Sequence, residues 1–413
     1  MSGSEAGVRD IVVIGGGVLG AAVAWALSRQ GLGERVLVLE RLQPASGATS
    51  RAAALVTLLR DDPAMVELAR ETLRAIAELE DEDAEDVGRR QVGSLHVGAT
   101  GQGEALDALA ARCSALGIEA RRIGRDQVLV RAGWLAPDAI EGGVFVPDDC
   151  YVEPYLLCTA NLRAASRRGV RLMTGVEARA IHHADGKVEG VELTDGSRIA
   201  ARVVVNAAGP WANLLSADAG LPLPMAPVRS HYWITEPTSA VERGGPIVFL
   251  SEIRAYARPE VGALLFGIRE QRLVVADPRG LPADLGGFVF DARDPEGWES
   301  LAEGAADLAR YFPGVETLGM AHYINGPSNY TPDGRLVVGA DPALDGLYVA
   351  SGCNGSGITF SGGIGRLIAE MVCQEPTFVP ATAFVPARLG TFDPFSPQFL
   401  AVCAAARARK SAG

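Results

Sequence analysis

The chain has 413 residues, of which 48% are apolar and 21% charged, and it carries a net charge of −12. A chain of this size can bury two hydrophobic cores, and its acidic balance argues against nucleic acid or an anionic membrane as the main partner. Six cysteines scattered without a CxxC spacing argue against a disulfide framework or a zinc site.

The opening MSGSEAGVRD lacks a basic n-region, so no signal peptide is expected and the chain reads as cytoplasmic. Ile11 to Leu27 carries no charge and reaches the lower limit of about 17 residues for a membrane helix. Gly15, Gly16 and Gly17 follow a β-branched run there, which weakens a helix and suits a strand-to-helix turn. A βα unit is therefore expected, and no membrane span.

Ile11–Ile14 reads as a buried parallel strand, Val18–Arg29 as a helix closed at Gly31–Gly33, and Val36–Leu39 as a second strand ending at Glu40. Residues 62–85 have a helical pattern with an acidic outer face and are expected to be solvated. Helices are also expected at Ala105–Leu116, Pro154–Arg168, 297–312 and Ile358–Val372. Between them, Asp185-Gly186 and Asp195-Gly196 read as hairpin turns in an antiparallel ribbon, with φ > 0 at both central positions. Val203–Val205 reads as a strand that rejoins the parallel sheet, and residues 226–275 form a second β-rich stretch.

The spacing Gly15-x-Gly17-x-x-Gly20 carries a mechanism. Gly15 permits the tight turn, Gly17 lets backbone approach a pyrophosphate, and Gly20 permits close helix–strand packing. The pyrophosphate then faces the N–H groups at the helix N-terminus. Glu40 ends the next strand about 20 residues further on, where an acid accepts hydrogen bonds from ribose hydroxyls and repels a 2′-phosphate. The plain alternative for Glu40 is a solvated surface acid. His182 and His183 lie beside a turn, and His96 and His322 lack metal-ligand spacing, so no metal site is expected.

Four further segments occur in a characteristic order. They are Ser46–Ala53 (SGATSRAA), Asn206–Ala212 (NAAGPWA), Ser328–Gly334 (SNYTPDG) and Gly352–Ile358 (GCNGSGI). Together they resemble the flavin-contacting loops of the FAD-dependent D-amino-acid oxidase superfamily, which includes glycine and sarcosine oxidases and dimethylglycine and sarcosine dehydrogenases. The resemblance runs from about residue 8 to 375. It implies a Rossmann-like FAD-binding domain (α/β) interleaved with an antiparallel-sheet (α+β) substrate domain. The FAD-binding domain is expected at 8–90, 140–215 and 320–385, the substrate domain at 91–139 and 216–319, and a C-terminal tail at 386–413.

By this resemblance FAD would be held at Gly15, Gly17, Val18, Leu19, Gly20, Glu40 and Arg41, and at Ser46, Gly47, Thr49, Ser50, Arg51, Ala52 and Ala53. Val176, Ala207, Ala208, Gly209 and Trp211 would add a second wall. Gly326, Tyr330, Asp333, Gly352, Asn354, Gly355, Ser356, Gly357, Ile358 and Thr359 would surround the flavin. A helix N-terminus at Gly352–Gly357 would stabilise the negative charge of reduced flavin; the plain alternative is a turn only.

The chain also departs from these relatives. Arg51 stands where dimethylglycine dehydrogenases carry a flavin-linking histidine, and Gly326 where monomeric sarcosine oxidases carry a flavin-linking cysteine, so non-covalent FAD is expected. Ser328 and Thr359 replace the arginine and lysine that bind substrate carboxylates in glycine and sarcosine oxidases, and Ala263–Gly267 lacks the oxygen-activating lysine. A carboxylate needs a cation, for which Arg51, Arg60, Arg229 and Arg258 are candidates.

The candidate catalytic residues are His231, Tyr256, Arg258 and Arg51. His231 is either a base or a structural histidine, and Tyr256 either orients substrate or is a half-buried strand residue.

The expected reaction is oxidation of a C–N bond in a small amine or N-alkyl amino acid, by hydride transfer to flavin N5, giving an imine that hydrolyses. The reading left beside it is a 2-hydroxy-acid oxidation on the same scaffold, or a flavoprotein subunit active only in a heteromeric complex. Oxygen or another acceptor would take the electrons, and the oligomeric state is left open.

Overall fold

The run IVVI is buried at all four positions, which places Ile11–Ile14 inside a sheet covered on both faces rather than at its edge. The computed structural model describes residues 10–269 and 271–409. Ile11–Ile14 pairs in parallel with Val36–Glu40 on one side and with Val203–Asn206 on the other. The sheet has six strands, in the order Val337–Ala340, Leu347–Ser351, Val203–Asn206, Ile11–Ile14, Val36–Glu40, Arg171–Thr174. The strand Val337–Ala340 at one edge is antiparallel to its neighbour. The expected return of the 203–205 segment to this sheet is observed.

One face of the parallel sheet is covered by the helices Val18–Leu27, Pro63–Asp81, Pro154–Arg167 and Gly357–Val372. The helix over 63–81 was expected to be solvated. Its stripe of Val66, Leu68, Ala69, Thr72, Ala75, Ile76 and Leu79 is instead buried, because the glycines of Gly357–Val372 let the two backbones approach closely. A Cβ on Gly363 would lie 2.3 Å from the Leu68 carbonyl oxygen, and one on Gly365 would lie 2.6 Å from the Ala22 carbonyl oxygen.

The other face carries the ribbon of Ala178–Ala184, Lys187–Leu193 and Arg198–Ala200. At its first turn Asp185 and Gly186 both take positive φ, as expected. At the second turn only Gly196 does so. There the Leu193 N–H bonds to the Ser197 carbonyl at 2.9 Å, and the Asp195 carboxylate accepts from the Ser197 N–H at 2.9 Å. This is a longer loop with one left-handed residue.

The second sheet has eight strands, in the order Met320–Tyr330, Ala226–Thr235, Ala263–Gly267, Ala255–Glu260, Ile247–Leu250, Ser94–Ala99, Ile140–Val146, Arg121–Gly124. Two segments grouped with the nucleotide-binding part from sequence, Ile140–Val146 and Met320–Tyr330, therefore pair into this sheet. The 386–413 segment, read as a tail, contains the helix Pro397–Arg409. Its Leu400, Cys403 and Ala404 pack on Ala226, Val228 and Tyr330.

Replacing Gly363 with Val overpacks the contact with Leu68 and should cost about 1–3 kcal/mol. The urea midpoint should fall at an unchanged slope, and an unshifted midpoint would contradict the helix–helix approach described here.

Candidate active site

Two close approaches of backbone set the nucleotide end of the site. Gly15 has φ +107°, and a Cβ there would lie 2.5 Å from the Ala207 carbonyl oxygen. A Cβ on Gly20 would lie 1.9 Å from the Gly15 carbonyl oxygen. Only glycine lets the strand, the turn and the helix meet at this distance. The Glu40 carboxylate accepts from the Gly16 N–H and the Leu42 N–H, each at 2.8 Å, so it is held by backbone and is not a loose surface acid. Thr49 Oγ1 accepts from the Val18 N–H at 3.1 Å, which brings the 46–53 loop over the first turn of the helix.

From here one continuous cavity of about 550 Å³ runs to the second sheet, within the range of small-molecule and cofactor sites. Its nucleotide end is lined by Gly15, Gly17, Val18, Leu19, Glu40, Arg41, Val176 and Trp211. Arg41 stacks on the Trp211 ring at 3.8 Å and pairs with Glu177 at 3.5 Å. Burial is the largest influence on Arg41 and lowers its pKa. The middle is lined by Ser46, Gly47, Thr49, Arg51, Ala52, Ala53, Ala207, Ala208 and Gly209. Tyr330, Gly352, Gly355, Ser356, Gly357, Ile358 and Thr359 follow. At the inner end stand Ser230, His231, Tyr232, Phe249, Tyr256 and Ile268, with Arg254, Arg269 and Arg407.

Seven site candidates named from sequence do not line this cavity: Gly20, Ser50, Arg229, Arg258, Gly326, Asp333 and Asn354. Gly20 serves packing. Ser50 turns back to bond the Gly47 carbonyl at 2.9 Å. Gly326 lies under Arg51, where a Cβ would meet the arginine stem at 2.8 Å. Asp333 pairs with Arg388 at 2.8 Å.

Asn354, left-handed at φ 49°, joins two turns. Its Oδ1 accepts from the Thr331 N–H at 2.9 Å, and its amide donates to the Arg335 carbonyl at 3.1 Å. Arg258 donates to the Ala53 carbonyl at 3.0 Å, pairs with Glu260 and lies 4.4 Å above the Tyr151 ring. It braces the 52–54 segment rather than facing the cavity. Arg229, another candidate cation, is buried against Ser300 at 2.8 Å and Asp294 at 4.0 Å.

His231 does line the cavity, and its Nδ1 is hydrogen-bonded to the Tyr323 hydroxyl at 3.1 Å. The Tyr256 ring lies across the strand pair over Gly267, where a Cβ would come within 2.4 Å of it. Burial is the main cause raising the pKa of Tyr256, and it pushes Tyr232 up to about 12. Both phenols therefore stay protonated at neutral pH.

Sequence reasoning missed Arg254, Arg269 and Arg407. Arg269 donates to the Arg407 carbonyl at 2.6 Å and Arg254 to the Ala408 carbonyl at 2.7 Å. The two thus cap the last carbonyls of Pro397–Arg409 and fix buried Arg407 in the wall. No local pattern signals this, since each partner is more than a hundred residues from the other.

Five buried polar atoms of cavity-lining residues have no hydrogen-bond partner among the described residues: Arg51 Nε, Arg60 Nε, Trp211 Nε1, Ser230 Oγ and Asn329 Oδ1. Unmade bonds at buried donors are costly, so a wall carrying several is shaped for a polar ligand. The glycine turn and the braced Glu40 are those of a dinucleotide-binding fold, and the unmatched atoms suit a polar ligand in the cavity.

Residues 10–371 match the family model for the DAO FAD-dependent oxidoreductases, and the chain belongs to that family. It is 32% identical over 377 residues to a 4-methylaminobutanoate oxidase (formaldehyde-forming) of Paenarthrobacter nicotinovorans, covering 87% of this chain and 43% of that protein. It is 30% identical over 370 residues to human mitochondrial sarcosine dehydrogenase, covering 88% of this chain and 39% of that protein. The chain thus spans less than half the length of these curated relatives. Among solved structures, the L-proline dehydrogenase of P. horikoshii superposes with a TM-score of 0.80 at 24% identity, over 92% of this chain and 98% of that one. FAD is the cofactor of this family, and the orphaned donors together with the glycine turn fit it. Among the described residues no helix is long and apolar enough to cross a membrane.

Glu40→Ala removes an acceptor already oriented by two backbone N–H groups. It should raise the dissociation constant for FAD by roughly tenfold to a hundredfold, measured by flavin fluorescence on reconstitution of the apoprotein. An unchanged constant would remove Glu40 from the ribose site.

Proposed function

We propose that this protein oxidises the C–N bond of a small amine or N-alkyl amino acid, using FAD held without a covalent link. When bound, FAD supplies the acceptor for the hydride that leaves the carbon next to nitrogen, and the imine so formed hydrolyses.

The observation that carries this reading is the charge distribution along the cavity. The carboxylates among the lining residues, Glu40 and Glu177, belong to the nucleotide end, whereas the inner end combines aromatic rings with arginines. An amine bound there meets a low dielectric and positive neighbours. Both disfavour the ammonium form and lower its pKa, so the nitrogen keeps its lone pair and its carbon can release hydride. Tyr232 and Tyr256, held protonated, can donate to a substrate oxygen or accept from an amine N–H. No strong base is needed, in contrast to oxidation of a hydroxy acid, which requires an acceptor for the hydroxyl proton. The similarity to enzymes named for 4-methylaminobutanoate and sarcosine agrees with an N-methyl amino acid as substrate.

Non-covalent attachment is supported by the two positions from which relatives link their flavin. Arg51 spends its guanidinium on the Asn325 and Leu285 carbonyls, and Gly326, with no side chain, lies under its stem. Acid precipitation should therefore release the flavin into the supernatant, and flavin retained in the pellet would refute a free cofactor.

Anaerobic mixing with N-methyl amino acids should bleach the flavin. The limiting rate should rise with pH and level off below the solution pKa of the amine, because the bound amine deprotonates more readily. His231→Ala should keep most of that rate; bleaching by hydroxy acids alone, abolished in this variant, would replace the proposal.

A further inference from the structure

The connection from Gly267 to Trp298 is long, and among the described residues its longest regular piece is the three-residue helical turn Pro278–Gly280. Connections of this length are uncommon in compact domains, and those that are not disordered usually serve function. This one is anchored at both ends. The Arg229 N–H donates to the Val274 carbonyl and the Ala276 N–H to the Pro227 carbonyl, each at 2.8 Å, which lays 274–276 along the strand Ala226–Thr235. At the far end Asp294 accepts from the Ser300 N–H at 3.0 Å and the Glu299 N–H at 3.1 Å, tying the chain to the helix Trp298–Tyr311. Arg272 pairs with buried Asp291 and draws the two ends together.

Residues 277–290 are therefore a closed loop, and it has an inside and an outside. Pro278–Gly280 lies against Gly209–Trp211 and Ala212–Asp218, the segment that follows the first-sheet strand Val203–Asn206. Ala283 lines the cavity, as do Gly209, Pro210 and Trp211. Leu281 and Leu285 are buried, Leu285 to 1% exposure, whereas Gly286, Gly287 and Val289 are exposed. The loop thus leaves the second sheet, reaches the flank of the first with its leucines turned inward, and returns.

One side chain holds it there. Arg51 belongs to the Ser46–Ala53 loop in the middle of the cavity; its Nη2 donates to the Leu285 carbonyl and its Nη1 to the Asn325 carbonyl, the latter at 3.0 Å. Among the described residues this is the only hydrogen bond between 277–290 and the rest of the chain. The others close within the loop, such as Asp284 to the Gly286 N–H at 2.8 Å and the Phe288 N–H to the Leu285 carbonyl at 3.0 Å. The remaining polar contact is Arg279 over the Phe395 ring at 4.8 Å. Gly286 and left-handed Gly287, at φ +73°, follow the latched carbonyl and give the backbone freedom to swing there.

We propose that residues 277–290 are a strap that closes over bound FAD and that Arg51 is its latch, so that the cofactor leaves only when this bond opens. Arg51 is then a positioning residue acting through the loop. The proposal rests on the reading that FAD is held without a covalent link. A ligand enclosed by a loop has a residence time set by loop opening. The strap meets the cavity at Arg51, Ala283 and the 209–211 turn, away from the inner end, so it guards the cofactor rather than the substrate.

The test follows FAD leaving the diluted holoprotein by the rise in flavin fluorescence. Arg51→Met and Leu285→Ala should each speed release at least about tenfold, and Arg51→Lys, with one donor group in place of a fork, should fall between. Because both positions act on one loop, the double variant should release FAD little faster than the faster single variant. Effects that multiply would show that Arg51 grips FAD itself, and release unchanged in Leu285→Ala would show that the loop does not enclose it; either overturns the proposal.

Hydrogen exchange on the same proteins reads the latch without reference to release. In the Arg51→Met holoprotein the amides of 281–288 should exchange faster while those of the strand Ile11–Ile14 stay protected, which also shows that the fold is intact. Unchanged exchange over 281–288 would remove Arg51 as the latch. A covalently linked flavin would abolish release in every variant yet leave this exchange difference in place, so failure of the non-covalent reading is distinguishable from failure of the latch.

Discussion

The structure depends on how closely backbone can approach backbone at Gly15. With φ +107° and the Ala207 carbonyl 2.5 Å from where a Cβ would sit, this residue sets the spacing between the first strand and the Val203–Asn206 strand where the chain turns into its first helix. Gly20 extends the constraint to that helix, and Gly365 extends it to the Gly357–Val372 helix, which lies on Ala22. These contacts hold the helix N-terminus, the braced Glu40 and the Thr49 loop in one frame. Any side chain at these positions would push the walls of the nucleotide end apart, and polar contacts further along could not recover the loss.

Much of this frame was legible in the sequence because it is local. Strand, glycine turn, helix and acid lie within residues 11–40, and each has a short-range signature: a β-branched run, glycine spacing, a helical apolar face and a terminal carboxylate. The ordered motifs at 46–53, 206–212, 328–334 and 352–358 pointed to the family and to the lining of the cavity. Even the misreadings near them have plain causes. Asn354 and Asp333 belong to their motifs, but the one welds two turns and the other pairs with Arg388. Motif membership marks a conformation as well as a contact.

What was hidden is long-range. The Pro63–Asp81 helix presents acidic residues along much of its surface, and only the glycines nearly 300 residues later reveal that its other face is covered. Ile140–Val146 and Met320–Tyr330 carry no mark of which sheet they join, because pairing depends on partners rather than on their own pattern. Arg254, Arg269 and Arg407 meet only because the C-terminal helix packs on Ala226, Val228 and Tyr330. Arg60 stood among the candidate cations, yet nothing nearby in sequence separates it from Arg229 or Arg258. Their bonding in the structure does: Arg229 and Arg258 pair with Asp294 and Glu260, whereas Arg60 bonds the Leu59 carbonyl and the Thr57 and Thr359 hydroxyls, with Asp149 and Asp61 near enough to favour its charge.

The two ends of the cavity therefore do opposite electrostatic work. At the nucleotide end, carboxylate and helix N-terminus alternate, matching a cofactor whose hydroxyls donate and whose phosphates accept. At the inner end, arginines from three separate parts of the chain surround protonated phenols and apolar rings. A cation is expensive there, and the fold meets that cost with threonine hydroxyls, main-chain carbonyls and a capped helix instead of neutralising carboxylates close to the substrate. The arrangement keeps positive potential directed at whatever enters. In the reaction proposed above, that potential would lower the pKa of an amine bound at the inner end and so favour the neutral form that hydride loss requires.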